Sequence, residues 1–188
     1  MTAMKIVFHP TQSILVFVSI FALNHVLSRS CLLNLSDIEG NRLHWPGTAQ
    51  YLNSVVQANY ACNQRCPDCV VRPRNVFDAS QAIRRAAAES LPVSIRGGGH
   101  GYTCQASKVG GIMLDMRSMS SIEVHKNPKP YMIVGSGATW NNILHALKKY
   151  ELITVHGQCT SVGVAGFSLH GRKYFLTNLL VTSVNHFQ

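Results

Sequence analysis

The chain has 188 residues, of which 46% are hydrophobic and 13% are charged. This composition excludes a largely disordered protein, and the length favours one domain with a substantial hydrophobic core. The net charge of +9 is scattered along the chain, without a basic stripe interleaved with aromatic residues. We therefore interpret the charge as a solvated surface and expect no nucleic-acid partner.

Residues 1–30 are typical of a secretory signal peptide. Lys5 precedes an apolar run at residues 14–23, which is too short to span a bilayer comfortably. The small residues Ser28 and Ser30 predict cleavage between residues 27 and 31. An uncleaved membrane anchor is the less favoured alternative, so we expect no stable membrane span after cleavage.

A sequon and the cysteines also indicate export. Asn34-Leu35-Ser36 is a glycosylation sequon, and six cysteines suit an oxidising compartment. Cys62, Cys66 and Cys69 cluster in a loop where a metal cluster would be conceivable, but a secretory setting favours disulfides. Further candidate partners are Cys31 and Cys104. The spacing leaves the pairing open, and we expect a secreted, extracellular protein.

Residues 31–65 lack strong periodicity and are predicted to be a lead-in segment. From residue 66 to residue 188 the pattern predicts one domain of strands and helices. Short strands are predicted at residues 70–72, 93–95, 112–116 and 131–134, with a turn at residues 127–130 before the last of them.

Two helices are predicted between these strands and after them. Asp78 is expected to cap the first helix, with Gln81 completing a capping box and Pro92 ending it. Its expected apolar face consists of Ile83, Ala86 and Ala87. Thr139 is expected to cap the second helix, whose apolar face consists of Trp140, Ile143, Leu144 and Leu147. Together these elements predict an α+β domain.

Two glycine-rich segments each contain one nucleophilic side chain, His100 in the first and Cys159 in the second. They are Arg96-Gly97-Gly98-Gly99-His100-Gly101-Tyr102 and Gly157-Gln158-Cys159-Thr160-Ser161-Val162-Gly163-Val164-Ala165-Gly166. Glycine lets the backbone approach a ligand closely and present N–H groups to an anion. The first segment has neither a P-loop ending nor Rossmann spacing. The pair predicts one phosphate-bearing cofactor that is also held covalently.

A metal site is not predicted beside the second segment. His156 and Cys159 are close enough in sequence to share a metal ion, but no further ligands can be assigned.

Residues 66–171 resemble the front part of a PCMH-type FAD-binding domain of the vanillyl-alcohol oxidase group. Within that group the chain is most similar to the berberine bridge enzyme-like oxidoreductases. The matching motifs, in order, are Val70-Val71-Arg72-Pro73, Leu91-Pro92-Val93-Ser94-Ile95-Arg96-Gly97-Gly98-Gly99-His100, Gly111-Ile112-Met113-Leu114-Asp115-Met116, Val134-Gly135-Ser136-Gly137-Ala138-Thr139-Trp140 and Gly157-x-Cys159-x-x-Val162-Gly163-Val164-x-Gly166.

The resemblance implies that the chain binds FAD. It implies bonds from His100 to the flavin 8α-methyl carbon and from Cys159 to flavin carbon 6. It also implies that residues 97–101 cradle the pyrophosphate and that a turn at residues 163–166 packs near the isoalloxazine ring. The cofactor-binding residues expected on this basis are Arg96, Gly97, Gly98, Gly99, His100, Gly101, Tyr102, Gly157, Cys159, Val162, Gly163 and Gly166.

The resemblance also implies a secreted oxidoreductase that passes a hydride from a small alcohol, sugar or similar molecule to the flavin, with O₂ as the acceptor. The chain departs from the family pattern after Gly171, and we expect the substrate domain and the catalytic base to be missing. Neither Tyr102 nor Tyr174 is assigned as that base, so the chain is expected to be inactive by itself or incomplete.

Two alternatives stay open at this point. One is a secreted, non-catalytic binding protein derived from the same fold, which would bind polyanions weakly through its positive charge. The other, with less support, is a structural module built on disulfides of Cys62, Cys66 and Cys69.

Overall fold

The computed structural model describes residues 42–126 and 128–170, all within one compact unit, Ile38–Gln188. The predicted signal peptide, the sequon at Asn34, Cys31 and the segment from Gly171 onward lie outside the described residues. Within the two described ranges, no helix is both long enough and apolar enough to cross a membrane.

Four strands form the main sheet in the order β1-β2-β4-β3. They are β1 (Leu43–His44), β2 (Cys69–Val71), β3 (Val93–Arg96) and β4 (Ile112–Asp115). Strands β2 and β3 each pair in parallel with β4, and β1 pairs antiparallel with β2. The last three strands confirm the sequence predictions, whereas β1 was not predicted. Parallel pairing brings the carboxyl ends of β2, β3 and β4 to one edge of the sheet.

A two-stranded antiparallel hairpin, β5 (Ile122–His125) and β6 (Tyr131–Val134), forms a second sheet. Strand β6 confirms its prediction and β5 was not predicted; Asn127, in the predicted turn between them, lies outside the described residues. One side of the hairpin packs on a core cluster that includes Trp140 and Ile143.

Helix α1 (Ala49–Val55) was not predicted, whereas the prediction of a helix after β2 is confirmed by α2 (Val76–Ala88). The predicted cap of α2 is wrong, because Asn75 is the N-cap and its side chain accepts a hydrogen bond from the Asp78 backbone N–H at 2.8 Å. Asp78 lies in the first turn, where its carboxylate favours the positive end of the helix and pairs with Arg42.

The predicted apolar face of α2 is confirmed at Ala86 and wrong at Ile83 and Ala87. Ile83 is 46% exposed and Ala87 is exposed, whereas Ala82 and Ala86 are buried. The buried side therefore carries small side chains at a spacing of four residues, which lets α2 lie close to β4.

The prediction of a helix after Thr139 is confirmed by α3 (Trp140–Lys148). Asn142 Oδ1 accepts hydrogen bonds from the Thr139 backbone N–H at 2.9 Å and from its hydroxyl at 2.8 Å. The turn expected at residues 163–166 is wrong, because α4 (Val164–His170) begins at Val164. The Val164 N–H donates to the Ala138 carbonyl at 2.9 Å, which joins the start of α4 to the segment just before α3.

A disulfide between Cys62 and Cys104 joins the 3-10 helix Tyr60–Gln64 to the segment after β3. Cys69 is also disulfide-bonded, whereas Cys66 and Cys159 are free thiols. In the chain-entropy description, a cross-link spanning 42 residues stabilises the folded state by about 4 kcal/mol. Two of the three clustered cysteines are therefore structural.

Candidate functional site

The first glycine-rich segment, residues 96–102, starts at the end of β3 and so lies at the carboxyl edge of the parallel strands. We call residues 97–102 the first loop. A neighbouring segment holds it in place: the Ala58 N–H donates to the Gly99 carbonyl at 3.0 Å, and Asn59 Nδ2 donates to the Tyr102 carbonyl at 2.9 Å. The Cys62–Cys104 disulfide fixes the same two segments covalently. Sequence reasoning missed Asn59, for which no motif gave a signal.

Residues 157–163 form the second loop, which is held against α3. The Trp140 N–H donates to the Val162 carbonyl at 3.1 Å, and the Asn141 N–H donates to the Thr160 carbonyl at 2.7 Å. The Trp140 side chain itself is buried in the core and meets the Phe167 ring edge-on, with 5.1 Å between centroids. The start of α3 therefore sets the position of the second loop.

The two loops meet backbone to backbone at Gly98 and Gly163. A Cβ atom added to Gly98 would lie 2.9 Å from Gly163 Cα and 2.9 Å from the Ser161 carbonyl oxygen, and closer still to Gly163 N. A Cβ added to Gly163 would lie 3.0 Å from Gly98 Cα. Only glycine at both positions permits this approach. The two segments that the sequence singled out are therefore in direct contact.

Both loops have unpaired backbone N–H groups. Among the residues that the structure describes, none accepts a hydrogen bond from the N–H groups of residues 98–101 or of residues 157–161. Unpaired N–H groups need water or a ligand, and several in succession form an anion-binding concavity. The loops therefore fit a ligand with phosphate groups, which would supply acceptors that residues 42–126 and 128–170 do not.

The two nucleophiles lie on these adjoining loops. The His100 side chain is partly exposed, and Cys159 is an exposed free thiol. Neither side chain is buried in a hydrophobic core or engaged in a disulfide. Both are therefore accessible enough to form a bond to a cofactor. In the described part of the chain, no three His, Cys, Asp or Glu side chains cluster as a metal site.

The other predicted site residues differ in their surroundings. Tyr102 is 81% exposed, and Val162 is partly buried against the core cluster beside α3. Gly157 faces Phe167, since a Cβ there would lie 3.2 Å from the ring. Gly166 lies within α4, and a Cβ there would meet no atom within 4 Å.

Arg96, at the start of the first glycine-rich segment, is only 6% exposed. Its Nη1 atom donates to the Asn53 carbonyl at 2.8 Å and to the Ser54 carbonyl, near the end of α1. These carbonyls lack partners within their own helix, so Arg96 caps α1. Burial, and then the charge of Arg117, lowers the pKa of Arg96 to about 10, so the side chain stays charged at neutral pH.

Asp115, at the end of β4, is the buried centre of an adjoining cluster. Its Oδ2 atom accepts hydrogen bonds from Ser54 Oγ at 2.7 Å, Arg72 Nη2 at 2.8 Å and Arg117 Nη2 at 2.7 Å. Burial alone would raise the pKa of Asp115, but hydrogen bonds from Arg117 and Ser54 outweigh burial and hold that pKa well below its usual range. Sequence reasoning missed this cluster, although its charged side chains all lie at or just after strand ends.

Comparisons with known proteins agree with this arrangement. A family model described as FAD binding domain matches residues 67–173. The FAD-dependent monooxygenase tpcD of Cochliobolus heterostrophus is 33% identical over 131 residues, which are 68% of this chain and 25% of that protein. Other matched relatives are named as an oxidase and a dehydrogenase.

Solved structures share the fold. The wild-type BBE-like 1 protein of Physcomitrella patens superposes with a TM-score of 0.72 at 26% identity, covering 83% of this chain and 33% of that one. Glucooligosaccharide oxidase of Acremonium strictum, described with 6-S-cysteinyl, 8α-N1-histidyl FAD, gives a TM-score of 0.74 at 22% identity, covering 82% and 32%.

The chain thus spans between a fifth and a third of the length of these proteins. The mixed helix and strand architecture expected from the sequence is confirmed as that of the PCMH-type FAD-binding domain. The match of the family model across both loops shows that the chain belongs to the FAD binding domain family of flavin-dependent oxidoreductases.

Proposed function

We propose that the two loops together bind FAD, with the pyrophosphate on the N–H groups of residues 98–101 and the flavin ring towards the second loop. The observation that carries this proposal is the backbone contact between Gly98 and Gly163. Through this contact, two segments that are distant in sequence can bind the same ligand. The N–H groups on both sides of that contact have no acceptor among the described residues, which supports a phosphate-binding role for the site. FAD is the cofactor of the family to which the chain belongs.

His100 and Cys159 are the proposed covalent anchors of the cofactor. Support comes from their accessibility and from the oxidase with 6-S-cysteinyl, 8α-N1-histidyl FAD, which shares this fold. Each bond would replace one C–H of the flavin and one N–H or S–H of the protein, and the two electrons released pass to an acceptor such as dioxygen. Covalent anchoring prevents loss of the cofactor and tunes its electronics.

The proposed activity is oxidation of a small molecule, such as an alcohol or a sugar, in an FAD-dependent reaction with dioxygen as acceptor. When bound, FAD supplies the redox chemistry, and this chain supplies binding and orientation. No residue of this chain is assigned as the catalytic base. The relatives that are named as monooxygenase, oxidase and dehydrogenase support a redox function without selecting one substrate.

The proposed location is extracellular, as the apolar N-terminal segment and the sequon predict. The Cys62–Cys104 disulfide supports it, because structural disulfides persist in oxidising compartments.

Refolding the full chain with FAD tests the proposed binding. After removal of free FAD and precipitation with acid, we expect the pellet to keep flavin absorbance, and His100→Ala or Cys159→Ala each to keep one link. His156→Ala, next to the second loop but not a proposed anchor, is the matched control and should keep both links. A colourless native protein after incubation with FAD would contradict the proposal; salt-sensitive heparin binding in that case would favour the non-catalytic alternative.

A further inference from the structure

Arg96 is a buried positive charge without a carboxylate partner in the described part of the chain. Its ordinary counterpart would be Asp115, but that carboxylate is engaged by Arg72 and Arg117. Its Nε atom is buried and has no hydrogen-bond partner among the described residues. A buried charge that faces only carbonyl groups costs free energy, because carbonyl dipoles replace water poorly.

The guanidinium of Arg96 lies directly beneath the first loop. A Cβ added to Gly99 would lie 2.9 Å from Arg96 Nε and 3.2 Å from Nη2, and Gly99 has φ of +72°. Gly99 is therefore required both by its backbone conformation and by the guanidinium packed against it. The charge of Arg96 therefore lies against the backbone of the first loop.

Among the described residues, three arginines and one aspartate at the carboxyl edge of the sheet leave two positive charges without a carboxylate. The arginines are Arg72, Arg96 and Arg117, and the carboxylate is that of Asp115. Near a protein surface a unit charge attracts an anion several ångströms away much more strongly than it does in bulk water, because the effective dielectric constant is lower. The carboxyl edge of the sheet therefore carries more positive charge than the carboxylates of the described residues neutralise.

We propose that Arg96 is a positioning residue and counter-charge for the pyrophosphate of the cofactor, acting through the first loop from its protein side. This inference rests on the proposed function. Arg96 orients the loop by packing under Gly99, and its unneutralised charge stabilises a diphosphate group bound on the opposite side. A residue that only caps α1 would fix the helix end without altering the affinity of the loop for anions.

The two roles give different results when Arg96 is changed. Arg96→Gln keeps a donor for the α1 carbonyls but removes the charge, so we expect pyrophosphate to bind about 10- to 100-fold more weakly. Arg96→Lys keeps the charge and should recover most of the affinity. The matched control is Arg42→Gln, which removes an arginine whose partner is Asp78 in α2. This control should lower the unfolding temperature without changing pyrophosphate binding.

The experiment uses the full chain and inorganic pyrophosphate at constant ionic strength, with the rise in unfolding temperature and the dissociation constant as readouts. The proposal is supported if Arg96→Gln loses the pyrophosphate-induced rise while Arg96→Lys and Arg42→Gln keep it. An equal rise in the wild type and in Arg96→Gln overturns it and leaves Arg96 as a helix cap. Wild-type binding of FAD with unchanged affinity in Arg96→Gln overturns it too, while the proposed function stands.

If Arg96→Gln does not fold, a measurement on the wild-type protein can still test the proposal. The Nε–H NMR signal of Arg96, assigned by its absence in Arg96→Lys, should shift when pyrophosphate is added, because a bound diphosphate changes the electric field at this buried group, which has no hydrogen-bond partner among the described residues. An unmoved signal while pyrophosphate binds would overturn the inference. Absence of any response of the wild type to both FAD and pyrophosphate would overturn the proposed function, and this inference with it.

Discussion

Replacing Gly98 by alanine should separate the two loops and weaken FAD binding by about 10- to 100-fold, because an overpacking cost of about 1–3 kcal/mol corresponds to that range when about 1.4 kcal/mol is tenfold in affinity. The added methyl group would lie 2.9 Å from both Gly163 Cα and the Ser161 carbonyl oxygen, which are backbone atoms that cannot turn aside. Overpacking of this kind also lowers the free energy of unfolding by about 1–3 kcal/mol. FAD titration and urea unfolding of the full chain measure the two effects.

Gly97→Ala is the control within the same loop. A Cβ at Gly97 would meet only the Ser136 carbonyl oxygen, at 3.5 Å, which is an ordinary contact. Its free energy of unfolding should therefore stay the same or rise by about 0.4–1 kcal/mol, because alanine restricts the unfolded chain. Equal unfolding free energies for Gly97→Ala and Gly98→Ala would contradict the close contact between the loops.

Replacing Asp115 by asparagine should lower the free energy of unfolding at pH 7 by about 3–5 kcal/mol, the usual cost of removing one partner from a buried ion pair. The amide cannot neutralise Arg72 and Arg117, which both pair with this carboxylate. In the variant, Arg72 and Arg117 would repel one another and Arg96. We therefore expect the carboxyl edge of the sheet to unfold before the rest of the domain. Urea unfolding gives the free energies.

The pH dependence of stability gives a second readout for Asp115. Its pKa is lowered in the folded state, so its contribution is present above the unfolded-state pKa of about 3.9 and is lost as the pH falls below that value. Asp115→Asn should therefore flatten the acid side of the stability profile. Glu123→Gln, at a side chain that is 68% exposed, is the control and should change the unfolding free energy by less than about 0.5 kcal/mol. An acid profile in Asp115→Asn that matches the wild type would argue against a buried, ion-paired Asp115.

Local patterns predicted the elements whose signals lie within a few residues. Helix α3 follows from Thr139 as cap and from apolar residues that recur at helical spacing. Strand β1 has only two residues and exists because Leu43 pairs with Val71, far along the chain, so no local pattern marks it. The cap of α2 was misplaced because Asn75 and Asp78 both favour a helix start, and only the structure separates the cap from the first turn.

In the candidate site, too, local sequence patterns predicted some features and missed those that depend on tertiary packing. Glycines with His100 and Cys159 predicted two ligand-binding turns, and the structure brings these turns into contact at Gly98 and Gly163. The orientation of Arg96 could not be predicted, because its partners on α1 are set by tertiary packing. The resemblance implied a turn at residues 163–166, whereas a helix begins at Val164, whose N–H donates to the Ala138 carbonyl just before α3.

Peptide mapping of the FAD-loaded chain tests the central claim most directly, namely that two loops distant in sequence hold one cofactor. After reduction, alkylation and proteolysis, the peptide with His100 and the peptide with Cys159 should be recovered as one species joined by a single flavin. Recovery of both peptides without flavin, from a chain that gains neither colour nor thermal stability when FAD is added, would contradict the claim.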